Sequence, residues 1–165
     1  MKVKDDGFFP ADMVILHSTG SEGTFYVETK NLDGETNLKL KTVAKNLIEP
    51  FQDKESLRLI EGILSVEAPN NRIYKFDGNF DISLHRVKTM GSSEKHLGRS
   101  TTSTGSITGN IVALSNDNIA LRGMSLRNTE FVTGIVVYTG HDTKIQKNST
   151  GAKYKASNVT HTMNW

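Results

Sequence analysis

Short apolar runs separated by turn-forming residues are the feature that most constrains how this chain can fold. The run MVIL at residues 13–16 is typical, and it has the length of a strand. No apolar run approaches the roughly 20 residues that cross a bilayer as a helix, so the sequence predicts no membrane-spanning helix among these 165 residues. The pattern predicts a mainly β domain with a few small helices.

The strand pattern extends along most of the chain. Seven strands are predicted, at residues 13–17, 25–28, 64–67, 73–76, 80–84, 119–121 and 131–138. Helices are predicted at residues 38–47 and 54–63, where apolar residues recur at three- and four-residue spacing. A third helix is predicted to begin near Lys144, with Asp142 as its cap. We interpret residues 1–165 as a single domain.

Residues 90–110 differ from the rest of the domain. They are rich in serine, threonine and glycine and have little apolar surface to bury. We therefore expect a flexible loop inside the domain and not a linker between two domains. Deleting most of this loop is expected to change the melting temperature by only a few degrees.

The composition excludes several classes of function. The 20 basic and 18 acidic side chains give a formal net charge of +2, whereas nucleic-acid-binding proteins concentrate basic residues on one face. The chain has no cysteine, which excludes disulfides and thiolate metal sites. Its 5 histidines show no paired metal-ligand spacing. We therefore expect neither a nucleic-acid partner nor a bound metal.

The stretch with the most chemical information is YVETKNLDGETNLKLK at residues 26–41. A strand is expected to run into a turn around Gly34, because glycine relaxes the backbone restriction at a tight bend. Asp33, Glu35 and Thr36 would then be exposed at the tip, where a glutamate can position or deprotonate a water molecule. Asp-Gly is also a very common turn pair, so on spacing alone a solvated surface glutamate is the simpler interpretation.

Five segments, in the same order, resemble the type IV P-type ATPases, the phospholipid flippases. They are GFFPADMVILHS (7–18), YVETKNLDGETNLKLK (26–41), EAPN with IYKFDG (67–78), LRGMSLRNTE (121–130) and GIVVYTGHDTK (134–144). DGET stands where other P-type ATPases have TGES or a near relative, and the flippase branch is more similar than the cation pumps. The five segments are spread over most of the chain, from residue 7 to residue 144.

The resemblance implies a distorted, jelly-roll-like β domain, the actuator domain of an ATP-driven phospholipid translocase. In that family an aspartate on a separate phosphorylation domain receives phosphate from ATP. The glutamate that aligns with Glu35 positions the water that hydrolyses this aspartyl phosphate, while Asp33, Gly34 and Thr36 shape the loop. A tethered carboxylate supplies both orientation and basicity, and each can change a rate greatly.

The resemblance also implies what other parts of such an enzyme would supply. The sequence contains no DKTGT stretch for the phosphorylated aspartate and no nucleotide-binding segment, so ATP and Mg²⁺ are implied for a parent enzyme and no cofactor for this chain. The implied partners are the phosphorylation domain, the membrane helices and a phospholipid substrate, with an accessory subunit left open. Residues 145–165 resemble the approach to a membrane helix. We thus expect a fragment, excised or truncated, at the cytosolic face of a membrane.

Residues 10–12 and two arginines receive structural interpretations. Proline presets its backbone angle, so residues 10–12 (PAD) are expected to fix a turn into the first strand. Arg122 and Arg127 suit contacts with the phosphorylation domain or with anionic headgroups, and internal or interdomain salt bridges are favoured over a ligand site.

Two other classes of function stay open on the sequence alone. One is a stand-alone β-rich regulatory or scaffold domain that kept the fold and only binds partners. The other is an independent hydrolase that uses Glu28, Asp33 and Glu35 as paired carboxylates, which is disfavoured because no convergent pocket can be inferred. A longer open reading frame with hydrophobic spans on both sides would favour the ATPase over the scaffold.

Overall fold

A computed structural model describes residues 1–48, 61–83 and 110–150 of the chain. Within these ranges, ten strands form three antiparallel sheets. The first sheet contains, in spatial order, β1 (Lys2–Lys4), β10 (Phe131–Tyr138), β2 (Asp12–Ser18) and β8 (Ile119–Ala120). The second contains β4 (Lys39–Thr42), β3 (Thr24–Glu28) and β9 (Ser125–Arg127). The third contains β5 (Glu61–Val66), β6 (Gly78–Ser83) and β7 (Asn110–Leu114).

Helical structure in the described residues is confined to short pieces. The α-helices are α1 (Lys30–Asp33), α2 (Lys45–Ile48) and α3 (Lys144–Thr150). Single 3₁₀ turns occur at Ser21–Gly23, Asn116–Asn118 and Gly140–Asp142. The prediction of a mainly β fold with small helices is therefore confirmed.

One hydrophobic core joins the three sheets. Ile15 of the first sheet, Val27 of the second and Phe80 of the third belong to the same buried cluster. Its largest fully buried apolar side chains are Phe9, Phe25, Phe76, Met13, Ile15, Leu47, Ile119, Leu121, Leu126 and Val14. Complete burial of a side chain of this size stabilises the folded state by roughly 1.5–3 kcal/mol. Sheets of three or four strands are thus held together mainly by what they bury against each other.

The second sheet positions the DGET stretch. β3 is its central strand, and β3 pairs with β4 from Thr24 opposite Thr42 to Val27 opposite Lys39. Residues 29–38 are therefore the connection of a β-hairpin. Because the side chain of Val27 is fully buried, the end of the strand that carries this connection is fixed to the core.

The third sheet positions a second segment, the connection between β5 and β6. These strands are paired as far as Val66 opposite Gly78, which leaves residues 67–77 between them. A backbone hydrogen bond of 3.1 Å from the Glu67 N–H to the Asp77 carbonyl closes the base of the connection. Phe76 is buried in the core and anchors it. We call residues 67–77 the β5–β6 connection.

Six of the seven predicted strands have a counterpart, and the strand 131–138 has the predicted bounds. The strand predicted at residues 73–76 is wrong, because these residues lie in the β5–β6 connection, where the Lys75 N–H donates to the Arg72 carbonyl at 3.4 Å. The aromatic side chains of this segment have different environments: Phe76 is buried, whereas Tyr74 is exposed. β1, β4, β7 and β9 were not predicted.

The helix predicted at residues 38–47 is wrong over most of its length. β4 occupies residues 39–42, and only the short α2 overlaps the end of the predicted helix. Along β4 the charged side chain is buried and the apolar one is exposed, the reverse of the usual arrangement: Lys41 is 5% exposed and Leu40 is 54% exposed. The Lys41 ammonium donates to the Asn116 carbonyl at 2.6 Å, and burial lowers the pKa of Lys41 to about 8. A prediction that places leucines in the core therefore misses this strand.

The other helix predictions have mixed outcomes. Residues 61–63 belong to β5, so the end of the helix predicted at 54–63 is wrong, and residues 54–60 lie outside the described residues. The helix predicted from Lys144 is confirmed as α3. Its predicted cap is wrong: the Lys144 N–H donates to Asp12 at 2.7 Å, while Asp142 forms an ion pair with Lys147 at 3.1 Å.

Two predicted segments fall wholly or largely outside the described residues. Of the loop predicted at 90–110, only Asn110 is described, and it begins β7. Of residues 145–165, those up to 150 belong to α3, and the remainder is outside the described part. The flexibility of the loop and the approach to a membrane helix stay predictions.

Candidate functional site

The DGET loop, residues 33–36, follows a single turn of helix. β3 ends at Glu28, and α1 then carries the chain to Asp33. Gly34 adopts a left-handed conformation with φ of 78° and donates its N–H to the Lys30 carbonyl at 3.0 Å. A Cβ atom here would meet nothing within 4 Å. The backbone conformation, and not crowding, is therefore what favours glycine at the predicted turn.

Asp33 is the anchor of the loop. Its Oδ1 accepts hydrogen bonds from the Thr29 hydroxyl at 2.8 Å and from the Glu35 N–H at 3.0 Å. Its Oδ2 accepts from the Lys39 ammonium at 2.8 Å and from the Tyr74 hydroxyl at 3.2 Å. The side chain is only 12% exposed, so the prediction that Asp33 is presented at the loop tip is wrong. Its four donors give it a structural role.

The hydrogen bonds also stabilise the charged form of Asp33. Partial burial acts to raise the pKa of this carboxyl, but the bonds from Lys39, from the Glu35 N–H, from Thr29 and from Tyr74 outweigh burial. They hold the pKa of Asp33 far below its usual range, because each donor stabilises the charged form. Asp33 is therefore a permanent anion at neutral pH.

Glu35 and Thr36 are exposed, as predicted. The Glu35 side chain is 57% exposed, and its Oε2 forms an ion pair with the Lys39 ammonium at 2.9 Å. The carboxylate thus faces solvent on a loop whose base is fixed by Asp33. An exposed carboxylate on a fixed loop can orient a water molecule or accept its proton. The roles of Glu35 and Thr36 in chemistry stay predictions.

Lys39 and Tyr74 are site residues that sequence reasoning missed. Lys39 bridges the carboxylates of Asp33 and Glu35, and its ammonium lies 5.5 Å from the centre of the Tyr74 ring. The carboxylates of Asp33 and Glu35 raise the pKa of Lys39, so it stays a cation. Lys39 lies within the DGETNLK segment and Tyr74 within IYKF. Both segments resemble the flippases, and that resemblance was the one sequence feature that could have pointed to these residues.

Glu28 belongs to a different network. Its Oε2 accepts from Arg127 Nη2 at 2.9 Å and from Nε at 3.3 Å, and Arg127 also pairs with Asp6. These ion pairs raise the pKa of Arg127, and the hydrogen bond that Arg127 donates to Glu28 contributes most. The salt bridge predicted for Arg127 is confirmed. We call Asp33, Glu35, Lys39 and Tyr74 the DGET cluster. Because Glu28 is paired with Arg127 and not with this cluster, the structure gives no support to a hydrolase built on Glu28, Asp33 and Glu35.

A second lysine cluster lies at the start of the β5–β6 connection, around Glu67 and Asn70. The Lys144 side chain is fully buried, and its ammonium donates to Glu67 Oε1 at 2.7 Å and to Asn70 Oδ1 at 2.9 Å. Partial burial acts to raise the pKa of Glu67, but the hydrogen bonds from Lys144 and Asn70 lower it. The Tyr138 hydroxyl donates to the Glu67 carbonyl at 2.5 Å, and burial raises the pKa of Tyr138 to about 12.

Asp12 links this end of the molecule to the first sheet. It is the first residue of β2, as expected for a segment that leads into a strand, and it is fully buried. Its carboxylate accepts the backbone N–H of Arg122 at 2.8 Å and that of Lys144 at 2.7 Å. Burial raises the pKa of Asp12 despite these donors. The Arg122 guanidinium donates to the Gly140 carbonyl at 3.2 Å, so the salt bridge predicted for Arg122 is not the contact seen.

The described part of the chain lacks two kinds of feature. In residues 1–48, 61–83 and 110–150, no helix combines the length and the apolar character needed to cross a bilayer. The same residues contain no group of three histidine, cysteine or acidic side chains placed to hold a metal ion.

Comparisons with known proteins agree with the resemblance seen in the sequence. No family model matches the chain. Over its full length it is 38% identical to the probable phospholipid-transporting ATPase 4 of Arabidopsis thaliana and 39% identical to the phospholipid-transporting ATPase dnf2 of Schizosaccharomyces pombe. It is 37% identical to the phospholipid-transporting ATPase C887.12 of the same yeast, with 99% of the chain aligned. The chain spans 11% of the length of each of these relatives. These matches support the identification of the chain as a fragment of a type IV P-type ATPase.

Proposed function

We propose that this chain is the actuator domain of an ATP-driven phospholipid translocase and that it acts in one step, the hydrolysis of an aspartyl phosphate. Glu35 orients the attacking water and accepts its proton. Gly34 and Thr36 shape the loop tip, and Asp33 holds its base. The aspartyl phosphate belongs to a separate phosphorylation domain, which also takes ATP and Mg²⁺. The domain works at the cytosolic face of the membrane, and the phospholipid crosses among membrane helices.

The exposure of Glu35 on an anchored loop is the observation that carries this proposal. Asp33 accepts four hydrogen bonds and is 12% exposed, whereas the Glu35 side chain two residues later is 57% exposed. An interior glutamate could not reach a phosphate on another domain. A glutamate on an unanchored loop would lose orientation, which is a large part of what a catalytic base contributes. Glu35 is accessible and on a fixed base.

A graft tests the proposal. The chain replaces the matching segment of a full-length phospholipid-transporting ATPase, and Glu35→Gln is compared with Glu130→Gln, which changes an exposed glutamate outside the DGET cluster. The unsubstituted graft must first restore phospholipid transport. Steady-state phosphoenzyme and transport are then measured with labelled ATP and labelled lipid.

Glu35→Gln is expected to form phosphoenzyme, to accumulate it and to stop transport, because only hydrolysis loses its base. Glu130→Gln is expected to match the unsubstituted graft. Normal transport in Glu35→Gln would contradict the proposal. Failure of Glu35→Gln to become phosphorylated would contradict it as well, because the loop would then act in the earlier step.

A further inference from the structure

Lys39 occupies a place between the two acidic residues of the DGET loop. Its ammonium lies 2.9 Å from Glu35 Oε2 and 2.8 Å from Asp33 Oδ2. Among the described residues, this ion pair is the only hydrogen-bonding or ionic contact of the Glu35 carboxylate. The direction in which that carboxylate points is therefore set by the position of Lys39.

The position of Lys39 is itself fixed from several sides. Its backbone is the first residue of β4 and pairs with Val27 of the central strand. Its ammonium is held by Asp33, which the Thr29 hydroxyl and the Tyr74 hydroxyl also hold. The Tyr74 ring lies beside the ammonium at 5.5 Å. Contacts from the second sheet and from the β5–β6 connection thus converge on one cation.

We propose that Lys39 is a positioning residue that holds the Glu35 carboxylate in the orientation needed to align the attacking water. The inference rests on the proposed function of Glu35. A glutamate on a solvent-exposed loop would otherwise sample several rotamers, and misplacing a catalytic group by about 1 Å can slow a reaction by about 100-fold. Lys39 acts through Glu35 and need not touch the phosphate.

The alternative is that the pair is an ordinary surface ion pair. Lys39 is 32% exposed and Glu35 is 57% exposed, and exposed pairs add little to the stability of a fold. Lys39 also donates to Asp33, but that carboxylate keeps its bonds from the Thr29 hydroxyl, the Glu35 N–H and the Tyr74 hydroxyl. Loss of Lys39 should therefore leave the domain folded, which makes kinetics the informative measurement. A positioning role predicts a change in the hydrolysis step alone, whereas a surface pair predicts no change in any step.

The test is a double-mutant cycle in the grafted ATPase. Phosphoenzyme formed from labelled ATP is chased with unlabelled ATP, and its decay is followed in Lys39→Met, in Glu35→Gln and in the double variant. Lys75→Met is the matched control, since Lys75 forms an exposed pair with Asp77 at 3.8 Å outside the DGET cluster. The rate constant is measured only on molecules that have been phosphorylated, so partial loss of protein does not alter it.

Lys39→Met is expected to slow decay by about 10- to 100-fold, with phosphoenzyme formation unchanged. Lys39→Arg keeps the cation and is expected to decay close to the unsubstituted rate. In the Glu35→Gln background, Lys39→Met should change decay by less than about twofold, because two residues that act as one unit are not additive. Lys75→Met should have no effect.

Each other outcome has a defined meaning. If Glu35→Gln decays normally, the proposed function fails. If Glu35→Gln decays slowly but Lys39→Met decays normally, the inference about Lys39 fails while the proposed function stands. Equal slowing by Lys39→Met in both backgrounds would show that Lys39 acts independently of Glu35, and equal slowing by Lys39→Arg and Lys39→Met would show that its charge is not what matters. Either result overturns the inference.

Discussion

Two lysines that lie against the β5–β6 connection hold acidic partners, and the two lysines differ in how deeply they are buried. Lys39 is 32% exposed and bridges Asp33 and Glu35 within one loop. Lys144 is fully buried and ties Glu67 and Asn70, in the β5–β6 connection, to α3. The same pairing chemistry thus occurs once at a partly exposed lysine and once at a fully buried one.

The difference in burial separates stability from positioning. An exposed ion pair is weakened by water and salt and contributes about 0–1 kcal/mol. A buried cation that loses its partners, or a buried carboxylate that loses its cation, costs about 3–5 kcal/mol. We therefore expect the Lys144 cluster to govern the free energy of unfolding and the Lys39 cluster to govern the chemistry at the loop.

Lys144→Met should give the largest loss of stability. Methionine keeps much of the apolar stem beside the Phe76 and Tyr138 rings but removes the buried cation from Glu67. The largely buried carboxylate then keeps only the exposed Arg72 guanidinium, which pairs with its Oε2 at 2.9 Å. We expect the free energy of unfolding to fall by about 3 kcal/mol, measured by urea denaturation of the isolated chain.

Lys147→Met is the matched control in the same helix. Lys147 forms an exposed pair with Asp142 at 3.1 Å, so its loss should cost less than about 1 kcal/mol. Equal losses for Lys144→Met and Lys147→Met would break the comparison, because burial would then make no difference.

Asp33→Asn should give the next largest effect, and one that depends on pH. The pKa of folded Asp33 lies far below its usual range, so the folded state binds fewer protons than the unfolded state, in which the aspartate pKa is about 3.9. The stabilisation is present above that value and is lost as the pH falls towards the folded pKa. At pH 7 we expect a loss of about 1–2 kcal/mol on substitution.

Denaturation at a series of pH values measures this effect. The gap in unfolding free energy between the unsubstituted chain and Asp33→Asn should narrow as the pH drops below about 4. A gap that stays constant down to pH 2 would show that the carboxylate charge does not contribute, and Asp33 would then be only a spacer in the turn.

Tyr74→Phe should give the smallest effect. It removes the hydroxyl that donates to Asp33 Oδ2 at 3.2 Å and keeps the ring beside Lys39. Because Tyr74 is 64% exposed, we expect a decrease in melting temperature that is detectable by calorimetry but smaller than that of Asp33→Asn. Tyr26→Phe, on the exposed face of β3, is the control, and a larger decrease in the control would argue against the Tyr74 contact.

The sequence predicted those parts of the fold in which local pattern and burial agree. β10 combines β-branched residues with alternating burial, so its first and last residues could be predicted from the sequence alone. β4 failed for the opposite reason, since Lys41 is buried against the Asn116 carbonyl and Leu40 faces solvent. No local pattern shows that a lysine will be buried, because its partner is distant in the chain.

The candidate site divides in the same way. The turn at Gly34 and the exposure of Glu35 followed from the short DGET stretch, because both depend on neighbouring residues. The contact between Tyr74 and Asp33 joins residues 41 positions apart, and the Asp12 bond to the Lys144 N–H joins residues 132 apart. Such contacts depend on how the three sheets pack, so the sequence alone does not predict them.

The decay of the phosphoenzyme in Glu35→Gln tests the central claim most directly. Phosphoenzyme is formed on the grafted ATPase with labelled ATP, unlabelled ATP is added, and the remaining label is measured over time. The account predicts normal formation and a decay slower by roughly two to four orders of magnitude, the range for loss of a positioned base. Decay at the unsubstituted rate would contradict the account and leave the DGET loop as only a turn.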